Sequence, residues 1–156
     1  MLRIVPLGVF RNGFDLVGDG GQVTASFRGS VWRESGDILV AGQQYVFRRE
    51  GRRRFRLGGP QGEVAVATCA RRWSRGPWQI EVDARQYDLA RASWLSRTYR
   101  LRLAGRPVGE VTGGRWGSHR GTVDLPAGLP APAQAFIVAI VITLWRRAEA
   151  SAASSG

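Results

Sequence analysis

Near its C-terminus the chain carries thirteen consecutive residues, Ala133 to Trp145, of which only Gln134 and Thr143 are polar. Pro132 before them suits the first turn of a helix, and Arg146-Arg147 after them suit the last, where cations oppose the dipole. A helix that is apolar on every side has to be surrounded; it cannot be laid on a surface. A bilayer or a protein interior can do this. Thirteen helical residues span about 20 Å, short of the ~30 Å hydrocarbon core of a membrane. Extension upstream meets Pro132, Pro130 and Pro126, which do not continue a helix. A strand of six residues is also about 20 Å long. The favoured surroundings are therefore a short-stranded barrel, and a tail-anchored membrane protein with Arg146-Arg147 as its positive flank is the alternative.

The rest of the chain has the pattern that such a barrel needs. Tyr99, Leu101 and Leu103 alternate with Arg100 and Arg102. Trp78, Ile80 and Val82 alternate with Gln79, Glu81 and Asp83, and Phe55 and Leu57 with Arg54 and Arg56. A half-buried strand sorts residues in this way and a helix does not. The chain has 21 glycines in 156 residues, about twice the usual ~7%, and nine of them fall in turn signals between such segments. Twelve strands are predicted, centred on residues 2–5, 14–18, 22–28, 37–41, 43–49, 53–58, 62–71, 78–83, 85–92, 97–104, 106–112 and 119–125. The spacing of about ten residues per strand and turn is that of sandwiches and barrels. Twelve strands enclose room for one helix of ~10 Å diameter. The expected fold is mainly β: a closed antiparallel barrel of about twelve short strands around a buried hydrophobic C-terminal helix. Residues 1–147 form its single domain, with the helix at about 132–147, and residues 148–156, small and polar, form a disordered tail.

Composition excludes several chemistries. All 23 basic residues are arginine, so a Schiff-base or phosphate-loop lysine is ruled out. One cysteine excludes an internal disulfide, and a single histidine argues against a zinc site. No G-x-S-x-G elbow is present, and Ser118 and His119, as strand neighbours, point to opposite faces. Cys69 sits in a small apolar strand and reads as a buried hydrophobe. Glu81 and Asp83 share an outward face and are expected to pair with arginines on neighbouring strands. Gly18-Asp19-Gly20-Gly21 lacks the helix of a dinucleotide fingerprint and reads as a hairpin turn. No catalytic residue, metal ligand or cofactor is predicted, and the chain is expected to be non-enzymatic.

The net charge of +11 favours an anionic partner, although a coding bias towards arginine would raise it without one. The densest charge lies in residues 48–56, where six arginines and one glutamate give +5 at a single hairpin. Arg48, Arg49, Arg52, Arg53, Arg54 and Arg56 are the candidate anion-binding residues. Next to them in sequence, Arg71, Arg72, Trp73, Arg75 and Trp78 mix cations with indole rings, a combination suited to a membrane interface or to base stacking. An anionic lipid or membrane surface is the partner considered first, each arginine contributing about 1 kcal/mol there. Nucleic acid or an acidic protein is the alternative. A solvated hairpin that keeps a strand edge from aggregating is the plain reading of the same residues. The first residues, Met1 to Pro6, lack a secretory apolar region, so a cytoplasmic protein is expected, peripheral to the membrane if lipid is the partner.

Some local sequences resemble the tubby C-terminal-like superfamily, which includes LURP-one-related proteins and phospholipid scramblases. Phe14-Asp15-Leu16-Val17 with its following glycine turn resembles the opening hairpin, and Ile38-Leu39-Val40-Ala41-Gly42 before Tyr45-Val46-Phe47-Arg48 resembles the next. Arg106-Pro107-Val108-Gly109-Glu110-Val111 and the stretch from Leu129-Pro130 to Leu144-Trp145-Arg146-Arg147 look like the late and closing elements. The resemblance implies a closed barrel around a buried helix and a function at membranes. The lysine–arginine pair with which tubby proteins hold a phosphoinositide has no counterpart here, nor has the acidic calcium-binding segment of scramblases.

Overall fold

The structure, a computed structural model, describes residues 1–7, 13–30, 33–70, 76–115, 118 and 120–155. Twelve strands and one helix follow one another. The first six are β1 (Leu2–Pro6), β2 (Gly13–Val17), β3 (Val23–Ser30), β4 (Ser35–Val40), β5 (Gln43–Arg49) and β6 (Arg54–Gly59). Then come β7 (Gly62–Cys69), β8 (Trp78–Val82), β9 (Arg85–Arg91), β10 (Thr98–Leu103), β11 (Arg106–Gly113), β12 (Gly121–Asp124) and α1 (Ala131–Ser154). Alternation decides which way each side chain points. In β8, Trp78, Ile80 and Val82 are buried while Gln79 and Glu81 are exposed. In β10, Tyr99 and Leu101 are buried and Arg100 and Arg102 exposed.

Every strand pairs antiparallel with its sequence neighbours, and β1 closes the sheet on β12 through Leu2↔Val123, Arg3↔Thr122 and Ile4↔Gly121. Closure leaves no open edge. The inward residues and α1 share one core. Its large side chains form a run of ring contacts: Phe14–Phe27, Phe27–Phe47, Phe47–Phe55 and Phe55–Trp78, with centroids 5.2–5.8 Å apart, and Phe47 reaches Phe136 of the helix at 5.7 Å. Phe27 and Phe47 belong to strands that flank β4 and meet across it because the residue between is Gly36. A Cβ there would lie 2.8 Å from the Phe27 ring. On β7, Ala65 and Ala67 face inward between the bulkier Leu57 and Phe55 of β6 and Val82 and Ile80 of β8, which leaves space for the helix.

From Pro132 to Trp145 every helical residue is buried except half-buried Gln134. Both polar side chains of this stretch are satisfied: Gln134 donates to the Leu129 carbonyl at 2.9 Å, and Thr143 to the Ala139 carbonyl at 2.9 Å. The barrel, and not a bilayer, surrounds the apolar stretch. Among the described residues no helix is long and apolar enough to cross a membrane. Two expectations need correction. The helix does not end near Arg147; it runs to Ser154, through most of the segment expected to be a disordered tail. Ala148, Ala150, Ala152 and Ala153 are strong helix formers, so the composition that reads as a frayed tail also propagates a helix already nucleated in the core. Consequently Arg146 and Arg147 do not lie in the last turn, and their position has another cause.

Strand direction sorts the connections to two ends. At one end lie the hairpin of residues 18–22 and the two-residue turns 41–42, 60–61, 83–84 and 104–105. Ala41-Gly42, Asp83-Ala84 and Ala104-Gly105 have positive φ at both residues, the geometry that matches the twist of paired strands. At the other end lie the β5–β6 hairpin and the β1–β2, β3–β4, β7–β8, β9–β10 and β11–β12 connections. The helix enters by the turn end and leaves by the loop end.

Candidate anion-binding rim

The same sorting separates charge. The loop end holds Arg33, Arg48, Arg49, Arg52, Arg53, Arg54, Arg91, Arg97, Arg115 and Arg120, with Arg146 and Arg147 where α1 leaves. Among the described residues there, Glu34, Glu50 and Glu149 are each held by arginine. The turn end instead carries Asp19, Glu63, Glu81, Asp83 and Asp124 beside Arg3, Arg85, Arg102 and Arg106.

Glu34 organises the mouth of the barrel. Its side chain is 5% exposed. Arg147 donates to it from Nε at 3.0 Å and from Nη2, Arg146 donates from Nη2 at 3.0 Å, and Arg49 stands 3.8 Å away. Its backbone is left-handed, with φ +54, a conformation that costs a non-glycine residue about 1–2 kcal/mol and that the three arginines hold in place. Burial pulls the Arg146 guanidinium below its ordinary range; Glu34 opposes that shift, while Arg147 and Arg49 add to it by repulsion. Arg147 also donates to the Arg52 carbonyl at 2.9 Å and lies over the Phe55 ring, tying the helix to the β5–β6 hairpin. On the facing side, the Trp145 indole donates to the Arg97 carbonyl at 3.0 Å. The Arg97 guanidinium stacks 4.7 Å over that ring and pairs with Glu149 at 3.0 Å. A Cβ on Gly113 would lie 2.8 Å from the Trp145 ring, so the stack depends on that glycine.

The six candidate arginines do not form one patch. Phe47 and Arg49 share the inward face, so Arg49 leans over the mouth towards Glu34. Arg54 and Arg56 lie on the outer wall, paired with Glu50 at 3.3 and 3.2 Å, and Arg56 also with Glu63 at 3.1 Å. Arg53 donates to the Ala70 carbonyl, and Arg52 and Arg48 are exposed at the hairpin and on its first strand. A shallow groove of about 480 Å³ on the wall below the mouth is lined by Arg33, Arg48, Arg49, Ser35 and Asp37. A larger depression, about 580 Å³, lies near the turn end among Tyr45, Glu63, Glu81 and Asp83, away from the arginines. Asp83 is in the β8–β9 turn, not on the strand face with Glu81, and among the described residues neither makes an ion pair, contrary to the expectation from sequence. Cys69 is buried with its thiol 3.8 Å from the Gly76 carbonyl. Arg71, Arg72, Trp73, Arg75 and His119 lie outside the described residues.

Sequence reasoning missed Glu34. Trp32-Arg33-Glu34-Ser35 has no periodicity to single it out, and its partners are about 112 residues away. The signal available was Arg146-Arg147 directly after a buried helix, a pair of charges that needs a counterion.

Fold and rim together define a class: a closed up-and-down barrel of twelve strands threaded by its own C-terminal helix and cation-rich at the end where the helix leaves. No family model, curated protein or solved structure matches the chain.

Proposed function

We propose that the protein is a non-enzymatic binding module whose loop end docks on an anionic lipid surface, as a peripheral membrane protein of the tubby-like type. The observation that carries this reading is the segregation of arginine. Among the described residues arginine outnumbers carboxylates at the loop end, whereas acids and bases are mixed at the other. An excess confined to one end gives the molecule a direction in the field of an anionic surface. The carboxylates there are engaged by arginine, which leaves them ill suited to general acid–base chemistry.

Flotation with phosphatidylcholine vesicles, with and without phosphatidylserine, at low and high salt tests this. The expected result is binding to the anionic vesicles alone, lost at high salt. Replacing Arg48, Arg52 and Arg53 together by glutamine should weaken it roughly a hundredfold, at about 1 kcal/mol for each charge. Failure to float with anionic vesicles overturns the reading. Tight binding of duplex DNA in that case transfers the rim to nucleic acid.

A further inference from the structure

The β9–β10 connection presents two large apolar side chains to solvent. Trp94 is 80% exposed and Leu95 75%, the highest values of any large hydrophobic residue among those described. They are adjacent, and they occupy the apex of a closed turn: Ser96 N–H donates to the Ser93 carbonyl at 3.1 Å, and Ala92 N–H to the Thr98 carbonyl at 2.8 Å. Arg91 donates to the Trp94 carbonyl at 3.4 Å, and Thr98 N–H to the Ser96 hydroxyl at 2.9 Å. The base of the turn is Arg97, whose guanidinium also donates to the Ser118 carbonyl at 2.7 Å. Through Trp145 it is joined to the buried helix. The apex is thus held in shape and fixed to the core.

We infer that Trp94-Leu95 is an insertion tip that enters the headgroup layer of an anionic membrane while the neighbouring arginines engage phosphate. This rests on the lipid reading of the rim and adds a specific apolar component to it. Tryptophan is the side chain most at home at the boundary between headgroup and hydrocarbon. A loop apex reaches a depth of 5–10 Å without burying any barrel backbone. Around the tip the charge is complementary to lipid: Arg91, Arg115 and Arg120 are exposed on its own and the adjoining β11–β12 connection. The end of α1 leaves on the same side as alanine and serine, and Glu149 on it is paired with Arg97. A preordered tip loses little conformational entropy on insertion.

The test is a Trp94→Ala/Leu95→Ala variant of the full chain, whose thermal melt should match the parent because both side chains are exposed. Binding to phosphatidylcholine–phosphatidylserine vesicles should fall roughly tenfold or more at low salt. With lipids carrying bromine on the acyl chain, quenching of tryptophan emission should be present in the parent and absent in Trp94→Phe, which still binds. Parent-like affinity of the double variant overturns the tip and leaves arginine-driven docking standing. A parent protein that ignores the vesicles overturns both.

Discussion

The two ends of the barrel are built by different means. At the turn end, three of the five hairpins are two-residue turns whose left-handed backbone is a local property of the hairpin, and charges of both signs share an open surface. At the loop end, connections are longer, and what orders them comes from far away in sequence: Glu34 binds the helix from 112 residues upstream, and Arg97 stacks on Trp145. Local chemistry closes one end. Long-range chemistry around the emerging helix closes the other, and that end carries the charge and the exposed apolar apex.

The sharpest test of this contrast concerns the helix that connects the ends. Ile140 is fully buried midway along it, and Ile140→Asp should cost more than about 4 kcal/mol, seen as loss of a cooperative thermal transition. Truncation at Pro130 should likewise leave an unfolded chain, because the barrel interior would face water; a folded, cooperative truncated barrel would contradict the shared core.

The next effect separates the ends directly. Glu34→Ala leaves Arg49, Arg146 and Arg147 facing one another without their carboxylate and should destabilise by roughly 2–4 kcal/mol in chemical denaturation. At the other end Asp19 pairs with the N-terminal ammonium at 3.4 Å with both groups exposed, and Asp19→Ala should change stability by less than about 0.5 kcal/mol. Equal losses would remove the distinction.

Smaller effects refine it. Ala84 has φ +62 in the β8–β9 turn, and Ala84→Gly should raise stability by about 0.5–1 kcal/mol, since relief of the left-handed strain outweighs the added chain entropy. The smallest is an alkaline effect near the loop end. Burial pushes the Tyr99 phenol above its ordinary range, against the opposing charges of Arg91 and Arg97. The unfolded chain then releases that proton first, so this contribution is intact below about pH 10 and is lost as pH rises through the folded value. Tyr99→Phe should therefore lose less stability than the parent between about pH 9 and pH 11.

Much of the architecture was legible because it rests on periodicity. Trp78-Gln79-Ile80-Glu81-Val82 states its own face, and turn pairs such as Ala104-Gly105 state where a strand reverses. The apolar run from Ala133 to Trp145 could be assigned to a protein interior from its length. The candidate site was legible only as a density of arginine. Arg54 and Arg56 meet Glu50 within the hairpin, but the pairing of Arg49 with Glu34 and of Arg56 with Glu63 depends on carboxylates outside it. Arg49 and Arg56 are seven residues apart, yet one leans over the mouth and the other lies on the wall, because Arg49 shares the inward face with Phe47 while Arg56 points outward between buried Phe55 and Leu57.

Sequence by itself determined the number of strands, the inward residues of β6, β8 and β10 and the need to enclose the helix, since alternation and apolar length are local quantities that any fold of this chain must respect. Tertiary structure decided that arginines from separate strands and the helix gather at one end, that Arg146 and Arg147 meet Glu34 there, and that the helix continues to Ser154. Those outcomes depend on closure of the sheet. Only when β1 pairs with β12 around α1 do residues more than a hundred positions apart come within hydrogen-bonding distance, and the electrostatics of the mouth follow from that geometry.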